Sequence, residues 1–196
     1  MESVASSYRA LTSAYVEACG TVEFLHPDDV GFVLANLGVD GPVLDLGCGP
    51  GHFTKVLVDA GLDARGIDLV DTFVAHAQAT YPDVAYTQGT LHALPHESAS
   101  VAGALAWYSL IHEPPETLPL IVGEIARVLR PSAPLVVGFF DGEVCEPFAH
   151  KVTTAYRWPP AELSAIFAAA GFTEVARTGR PATATARSHA ALAFRR

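Results

Sequence analysis

A short apolar strand that runs into a glycine-rich turn limits this chain to very few folds. Val43-Leu44-Asp45-Leu46 leads into Gly47-Cys48-Gly49-Pro50-Gly51-His52, and Gly66-Ile67-Asp68 closes a second apolar run, its carboxylate 21 positions after Gly47. Strand, turn, helix start and a second strand ending in an acid predict a βαβ unit whose ligand crevice lies at the carboxyl ends of the strands. Glycine lets the backbone pass close to a ligand, and one carboxylate accepts from both hydroxyls of a ribose. The turn reads G-x-G-x-G, with an acid two positions before the first glycine. A dinucleotide turn reads G-x-G-x-x-G and opens directly into a pyrophosphate-binding helix.

Hydrophobic periodicity extends this unit along the chain. Tyr8, Leu11, Tyr15 and Cys19 recur at helical spacing, and His26-Pro27-Asp28-Asp29 reads as a helix start before Val30, Val33, Leu34 and Leu37, with Gly38 as the stop. Residues 1–38 are thus expected to form an N-terminal helical cap, and 41–196 a core of alternating strands and helices within a single domain. Strands are predicted at 43–46, 64–67, 84–87, 101–106, 135–140, 172–177 and about 190–194, and helices at 51–60, 71–80, after Pro114-Pro115, and at 161–170. The continuous apolar runs at 101–106 and 135–140 suit strands buried on both faces. The expected fold is α/β: a doubly wound, mostly parallel, seven-stranded Rossmann-like sheet, with an antiparallel C-terminal strand and helices at the N-terminus. The stretch 141–158 is long for a connection in a compact domain and reads as a binding lid, with Phe148, Tyr156 and Trp158 as an apolar inner face or as ordinary packing. The Ala/Thr run 182–186 reads as a surface loop.

Composition removes several classes. Twelve basic against twenty-one acidic residues give a net charge of −9 without a basic stripe, which disfavours nucleic acid and favours a small-molecule partner. The longest apolar stretch, 101–111, is too short for a bilayer, which needs ~20 residues, so no membrane partner is expected. Met1-Glu2-Ser3-Val4 lacks the pattern of a secretory signal. Cys19, Cys48 and Cys145 are odd in number and far apart, which reads as reduced thiols in a cytoplasmic protein, with neither a disulfide framework nor a metal site. The oligomeric state leaves no mark on the sequence.

The glycine turn with Asp45 before it resembles the first motif of the class I S-adenosylmethionine-dependent methyltransferases, of the small-molecule type. The likeness runs from about Pro42 to Phe172: Gly89-Thr90-Leu91-His92-Ala93-Leu94-Pro95 matches the family's G-D-x-x-x-L-P segment, Trp107–His112 its segment ending in His, Glu124–Pro131 its helix ending R-V-L-K-P-G, and Ala170-Gly171-Phe172 its late A-G-F. Two positions depart from the pattern, with Thr90 where an acid often meets the adenine amine and Ala102 where an acid commonly opens the fourth strand.

That resemblance implies S-adenosylmethionine as the cofactor and assigns its pocket. Gly47, Cys48, Gly49 and Gly51 would carry the backbone against the methionyl and ribose portions. Asp45 would anchor the ammonium or else satisfy buried groups of the turn. Asp68 would take the ribose, with Leu69, Thr90 and Leu91 near the adenine. Trp107 would line the site, and Tyr15, like Tyr8, would close over it from the N-terminal helix or simply pack there. Methyl transfer needs alignment and exclusion of water, and a base only where the acceptor must lose a proton. His112 is the candidate base, since imidazole titrates near neutrality, or else a residue that supports a helix start; Tyr108 would shape the pocket near the transferred methyl. Two alternatives stand beside methylation of a small molecule at oxygen, nitrogen or carbon. One is a non-catalytic relative that keeps the fold for binding; the other is a nicotinamide-dependent oxidoreductase.

Overall fold

The computed structural model describes residues 2–184 and 186–196. Met1, where the segment read for a secretory signal begins, and Thr185, inside the 182–186 run, lie outside the described residues. Helix α1 (Glu2–Cys19) is followed by a single 3₁₀ turn and by α2 (Pro27–Leu37), whose first turn is set by Pro27 and by His26 Nδ1 accepting from the Asp28 amide. The alternating core then reads β1 (Pro42–Leu46), α3 (His52–Asp59), β2 (Asp63–Asp68), α4 (Asp71–Thr80), β3 (Ala85–Gln88), β4 (Gly103–Trp107), α5 (Leu118–Val128), β5 (Pro134–Asp141), β6 (Glu146–Ala149), β7 (Thr154–Trp158), α6 (Pro160–Ala169), β8 (Thr173–Arg180) and β9 (His189–Arg195).

Strands β3-β2-β1-β4-β5 lie side by side and all parallel, and β9 runs antiparallel along β5 from Pro134 to Phe140, with β8 antiparallel beyond it. The chain order reverses between β1 and β4, which is where open sheets of this kind bind ligands. Side chains alternate across the sheet. Leu105, Val136 and Ala193 face α2 and α3, together with Val33, Leu37, Phe53 and Leu57. Ala104, Leu135, Leu192 and Phe194 face α5 and α6, together with Ile121, Ile125, Leu163 and Phe167.

Among the described residues the sheet has nine strands, where seven were expected. The two extra ones form a hairpin, β6–β7, inside the stretch read as an irregular lid. β9 occupies one edge of β5 along its length, so β4 and β7 must share the other. β4 pairs as far as Gly138 and β7 takes up Phe140 and Asp141, past the end of β4. The Tyr156 amide then donates to the Ile111 carbonyl at 2.7 Å. Local alternation across 146–158 is too short to announce a hairpin; what creates it is the edge of β5 left open when β4 stops. The fourth strand also starts later than predicted. Val101 makes only an isolated bridge to Leu129, and the Ala102 amide bonds to Pro42 before β4 proper begins. Helix α5 follows the two prolines as expected and begins at Leu118, the prolines themselves belonging to a turn closed by Thr117 N–H to Pro114 O at 3.0 Å.

Candidate cofactor and acceptor site

The glycine turn is pinned from below. The amides of Gly47 and Cys48 both donate to the Ile67 carbonyl, at 2.7 and 3.1 Å, so the turn folds over the end of β2. Gly47, Gly49 and Gly51 all take positive φ, of 74°, 53° and 87°. Their surroundings differ. A Cβ on Gly47 would meet Ser109 Cβ at 2.4 Å and one on Gly51 would meet Ala77 and the Tyr86 ring at 2.8 Å, whereas one on Gly49 would meet nothing within 4 Å. Gly47 and Gly51 are therefore required by packing between elements, and Gly49 is the glycine whose open side faces outward.

Asp68 closes the turn from β2. Its Oδ2 accepts from the Gly49 amide and its Oδ1 from the Val70 amide, each at 2.8 Å. Each oxygen keeps a further lone pair, which is what two ribose hydroxyls need. Burial raises the pKa of this carboxyl, against the lowering effect of those amides. Helix α4 follows Val70, and Asp71 in its first turn accepts from Arg9 Nε of α1 at 2.8 Å.

Asp45 lies under the turn, fully buried, with Thr54 Oγ1 donating to its Oδ2 at 2.7 Å. Burial pushes its pKa up to about 7; the Thr54 hydroxyl opposes that and the nearby Asp68 adds to it. Two buried polar atoms at this level have no hydrogen-bond partner, Ser109 Oγ beside Gly47 and His52 Nδ1 at the first residue of α3. Burial holds His52 down to about 4, so its ring is neutral near pH 7. The Gly49 opening, the spare lone pairs of Asp68 and these two orphaned groups form a polar, partly open cradle that fits an amino-acid-bearing nucleoside.

Helix α1 covers this cradle. Tyr8, Tyr15, Val16 and Leu69 pack with Ala5, Val70 and Phe73, and Thr12 Oγ1 meets Thr72 Oγ1 at 2.6 Å. Asp68 is close enough to both Tyr8 and Tyr15 to raise their pKa values beyond the larger effect of burial, with Tyr15 pushed up to about 12. Tyr8 hydroxyl and His112 Nε2 are 2.8 Å apart, and His112 Nδ1 lies 2.7 Å from the Thr154 carbonyl oxygen. A carbonyl only accepts, so Nδ1 carries the proton, and Nε2 accepts from Tyr8. Burial lowers the pKa of His112 and keeps it in this neutral form.

The other expected residues have the following surroundings. The Cys48 side chain packs with Val74, Ala77, Val84 and Tyr86, and burial drives its thiol pKa well up, so it serves as core filler between the turn and α4. The Trp107 ring lies over Gly138 and against Phe53 on the α2/α3 side. Leu91 packs partly buried on the main core, and Thr90 Oγ1 accepts from the His92 amide at 3.2 Å.

Tyr108, directly after β4, takes φ of 56°, a strained value for a residue with a bulky side chain. Its hydroxyl bonds to His189 Nδ1 of β9. His189 Nε2 lies 3.2 Å from Asp29 Oδ1 of α2, though off the line of a straight hydrogen bond, and Arg180 of β8 holds both oxygens of Asp29. Burial works to raise the pKa of Asp29, but these partners overcome it and hold the carboxyl at about 2. None of Asp29, Arg180 or His189 was singled out from the sequence as part of this group: no motif carries them, and they meet only because α2, β8 and β9 converge at one end of the sheet.

Known proteins resemble this chain in sequence and in fold. Residues 43–132 match the family model of a methyltransferase domain. Malonyl-[acyl-carrier protein] O-methyltransferase of Erwinia billingiae is 31% identical over 123 residues, covering 63% of this chain and 46% of that protein. A probable S-adenosylmethionine-dependent methyltransferase of Mycolicibacterium smegmatis is 32% identical over 138 residues, covering 66% and 51%. The chain thus spans about half the length of the curated relatives it matches. Among solved structures, Burkholderia thailandensis 1,6-didemethyltoxoflavin-N1-methyltransferase, with bound 1,6-didemethyltoxoflavin and S-adenosylhomocysteine, superposes with a TM-score of 0.78 at 22% identity over 98% of this chain and 88% of that one. Sheet order, glycine turn and carboxylate define a Rossmann-like methyltransferase domain. Residues 43–132 form a methyltransferase domain similar to that of the class I S-adenosylmethionine-dependent methyltransferases, and S-adenosylmethionine is the cofactor such a domain takes. With that, the nicotinamide-dependent alternative loses its ground.

Proposed function

We propose that this chain transfers a methyl group from S-adenosylmethionine to a small-molecule acceptor. The observation that carries the reading is the pairing of Asp68 with the Gly49 amide at the open side of the turn. The bound cofactor supplies a methyl group on a sulfonium, already activated for in-line displacement. Asp68 holds the ribose hydroxyls with its remaining lone pairs, and the backbone at Gly49 lies against the methionyl portion. Asp45 lends a carboxylate to the ammonium, and Leu69, Thr90 and Leu91 bound the adenine end. Tyr8 and Tyr15 of α1 exclude water from above, which strengthens the polar contacts beneath them.

On the acceptor side, Tyr108 and His112 flank the place where the methyl group is delivered. Nε2 of neutral His112 takes a proton from an acidic acceptor only after the Tyr8 hydroxyl has turned away from it. An amine that is already deprotonated needs no such step and relies on alignment alone. The relatives name malonyl-[acyl-carrier protein] and 1,6-didemethyltoxoflavin as what they methylate, which supports acceptors that are small or presented by a carrier. The test is calorimetric titration with S-adenosylhomocysteine. Wild-type chain binds it, and Asp68→Ala weakens binding by about 1–3 kcal/mol, the range for leaving hydrogen-bonding groups unmatched. Equal affinities in the two proteins would remove Asp68 from the site.

A further inference from the structure

The hairpin β6–β7 brings a set of rings and cations to the carboxyl end of β4. The Tyr108 ring lies 4.8 Å from Phe140, Phe140 lies 5.3 Å from Phe148 and 5.8 Å from His150, and His150 lies 5.4 Å from His112. These ring contacts form one series, from Tyr108 and His112 at the carboxyl end of β4 out to Phe148 and the rim. At that rim the Arg187 guanidinium sits 5.0 Å over the Phe148 ring and 5.8 Å from the centre of Phe140.

Arg187 differs from its neighbours in its partners. Arg157, also 5.0 Å over Phe148, is paired with Glu146 at 3.7 Å. Asp141 accepts from Ser188 Oγ at 3.2 Å. Glu113 faces His92 at 3.3 Å. Among the described residues, no carboxylate pairs with Arg187, and its side chain is exposed. Burial, more than the nearby His112, Arg187 and Lys151, holds His150 down to about 4. An arginine laid on aromatic faces keeps its planar fork of donors in place, and that fork matches a carboxylate or a similar oxyanion.

We propose that the methyl acceptor is a flat molecule carrying an anionic group, its ring against the wall of Tyr108, Phe140, Phe148 and His150 and its charge on Arg187. This rests on the methyltransferase reading above and adds the acceptor's chemistry to it. Arg187 is then the specificity-determining residue, and it takes no part in the chemical step.

The test uses a matched pair of probes on the full chain loaded with S-adenosylhomocysteine: 2-naphthoate and its neutral counterpart 2-naphthamide, titrated calorimetrically. The acid is expected to bind at least ten-fold more tightly than the amide. Arg187→Gln abolishes that preference while the affinity for the amide stays put, and Arg187→Lys keeps part of it. Equal binding of acid and amide to the wild type, a preference that survives in Arg187→Gln, or no binding of either probe to the loaded chain would overturn the proposal and leave the cofactor reading intact. Failure of S-adenosylhomocysteine itself to bind would strike the methyltransferase reading first, and this proposal with it.

Discussion

Asp45 is the residue whose ionisation the site controls most directly. Its folded pKa of about 7 lies well above the ordinary carboxylate value, because burial favours the neutral form. For the free chain, its contribution to stability is complete below the unfolded pKa of about 3.9 and is lost as pH rises through about 7. For a cofactor carrying an ammonium the sense reverses, because only the ionised carboxylate offers a counter-ion. S-adenosylhomocysteine affinity is therefore expected to increase as pH climbs through about 7, and Asp45→Asn to flatten that rise. A pH series of dissociation constants with the same slope in both proteins would take Asp45 out of contact with the ligand. The acid at the end of β1 was legible in the sequence, but its depth was not. Burial comes from Thr54 of α3 folding over it, and the spacing of residues on the chain gives no sign of that.

At the scale of elements, α1 behaves as a cover held by few groups. Arg9 to Asp71, Thr12 to Thr72 and Tyr8 to His112 are its polar ties, and the first is half-exposed, where ion pairs contribute little. The Tyr8 hydroxyl is the buried tie, and Tyr8→Phe leaves His112 Nε2 without its donor at a cost of about 1 kcal/mol. Hydrogen exchange should then quicken across residues 5–19, with the core strands unaffected. Unchanged exchange in that helix would mean that apolar packing on Phe73 alone holds it. Helical spacing announced α1 and both tyrosines. Their partner His112, 104 residues from Tyr8, follows from the way β4 ends beneath the helix. The hairpin over the acceptor side was hidden for the same reason, since its pairing depends on where β4 stops along β5.

Across the whole molecule, Asp29 ties α2 to both terminal strands through Arg180 and His189 and, through His189, reaches Tyr108 at the site. Its pKa of about 2 means that this group adds stability above the unfolded value of about 3.9 and loses it as pH falls towards 2. Arg180→Gln removes the main partner of a buried carboxylate and is expected to destabilise the fold by about 2–3 kcal/mol, less than for a fully buried pair because Arg180 is partly exposed. Acid unfolding should also begin at a higher pH. An unaltered acid midpoint, followed by circular dichroism, would show that the pair is electrostatically idle.

The sequence by itself determined the sheet's alternation, the glycine turn, the acid beyond it and the family resemblance, because these rest on local periodicity and on residue types that a short loop requires. Tertiary structure decided which glycine is open, that the Cys48 side chain packs against Val74 and Tyr86, and that the Trp107 ring lies against Phe53. It also decided that His112 is engaged by Tyr8 and that Arg187 lies over the Phe148 and Phe140 rings. Those outcomes depend on surfaces brought together from distant parts of the chain, where burial and partners, rather than residue identity, set what each group can do.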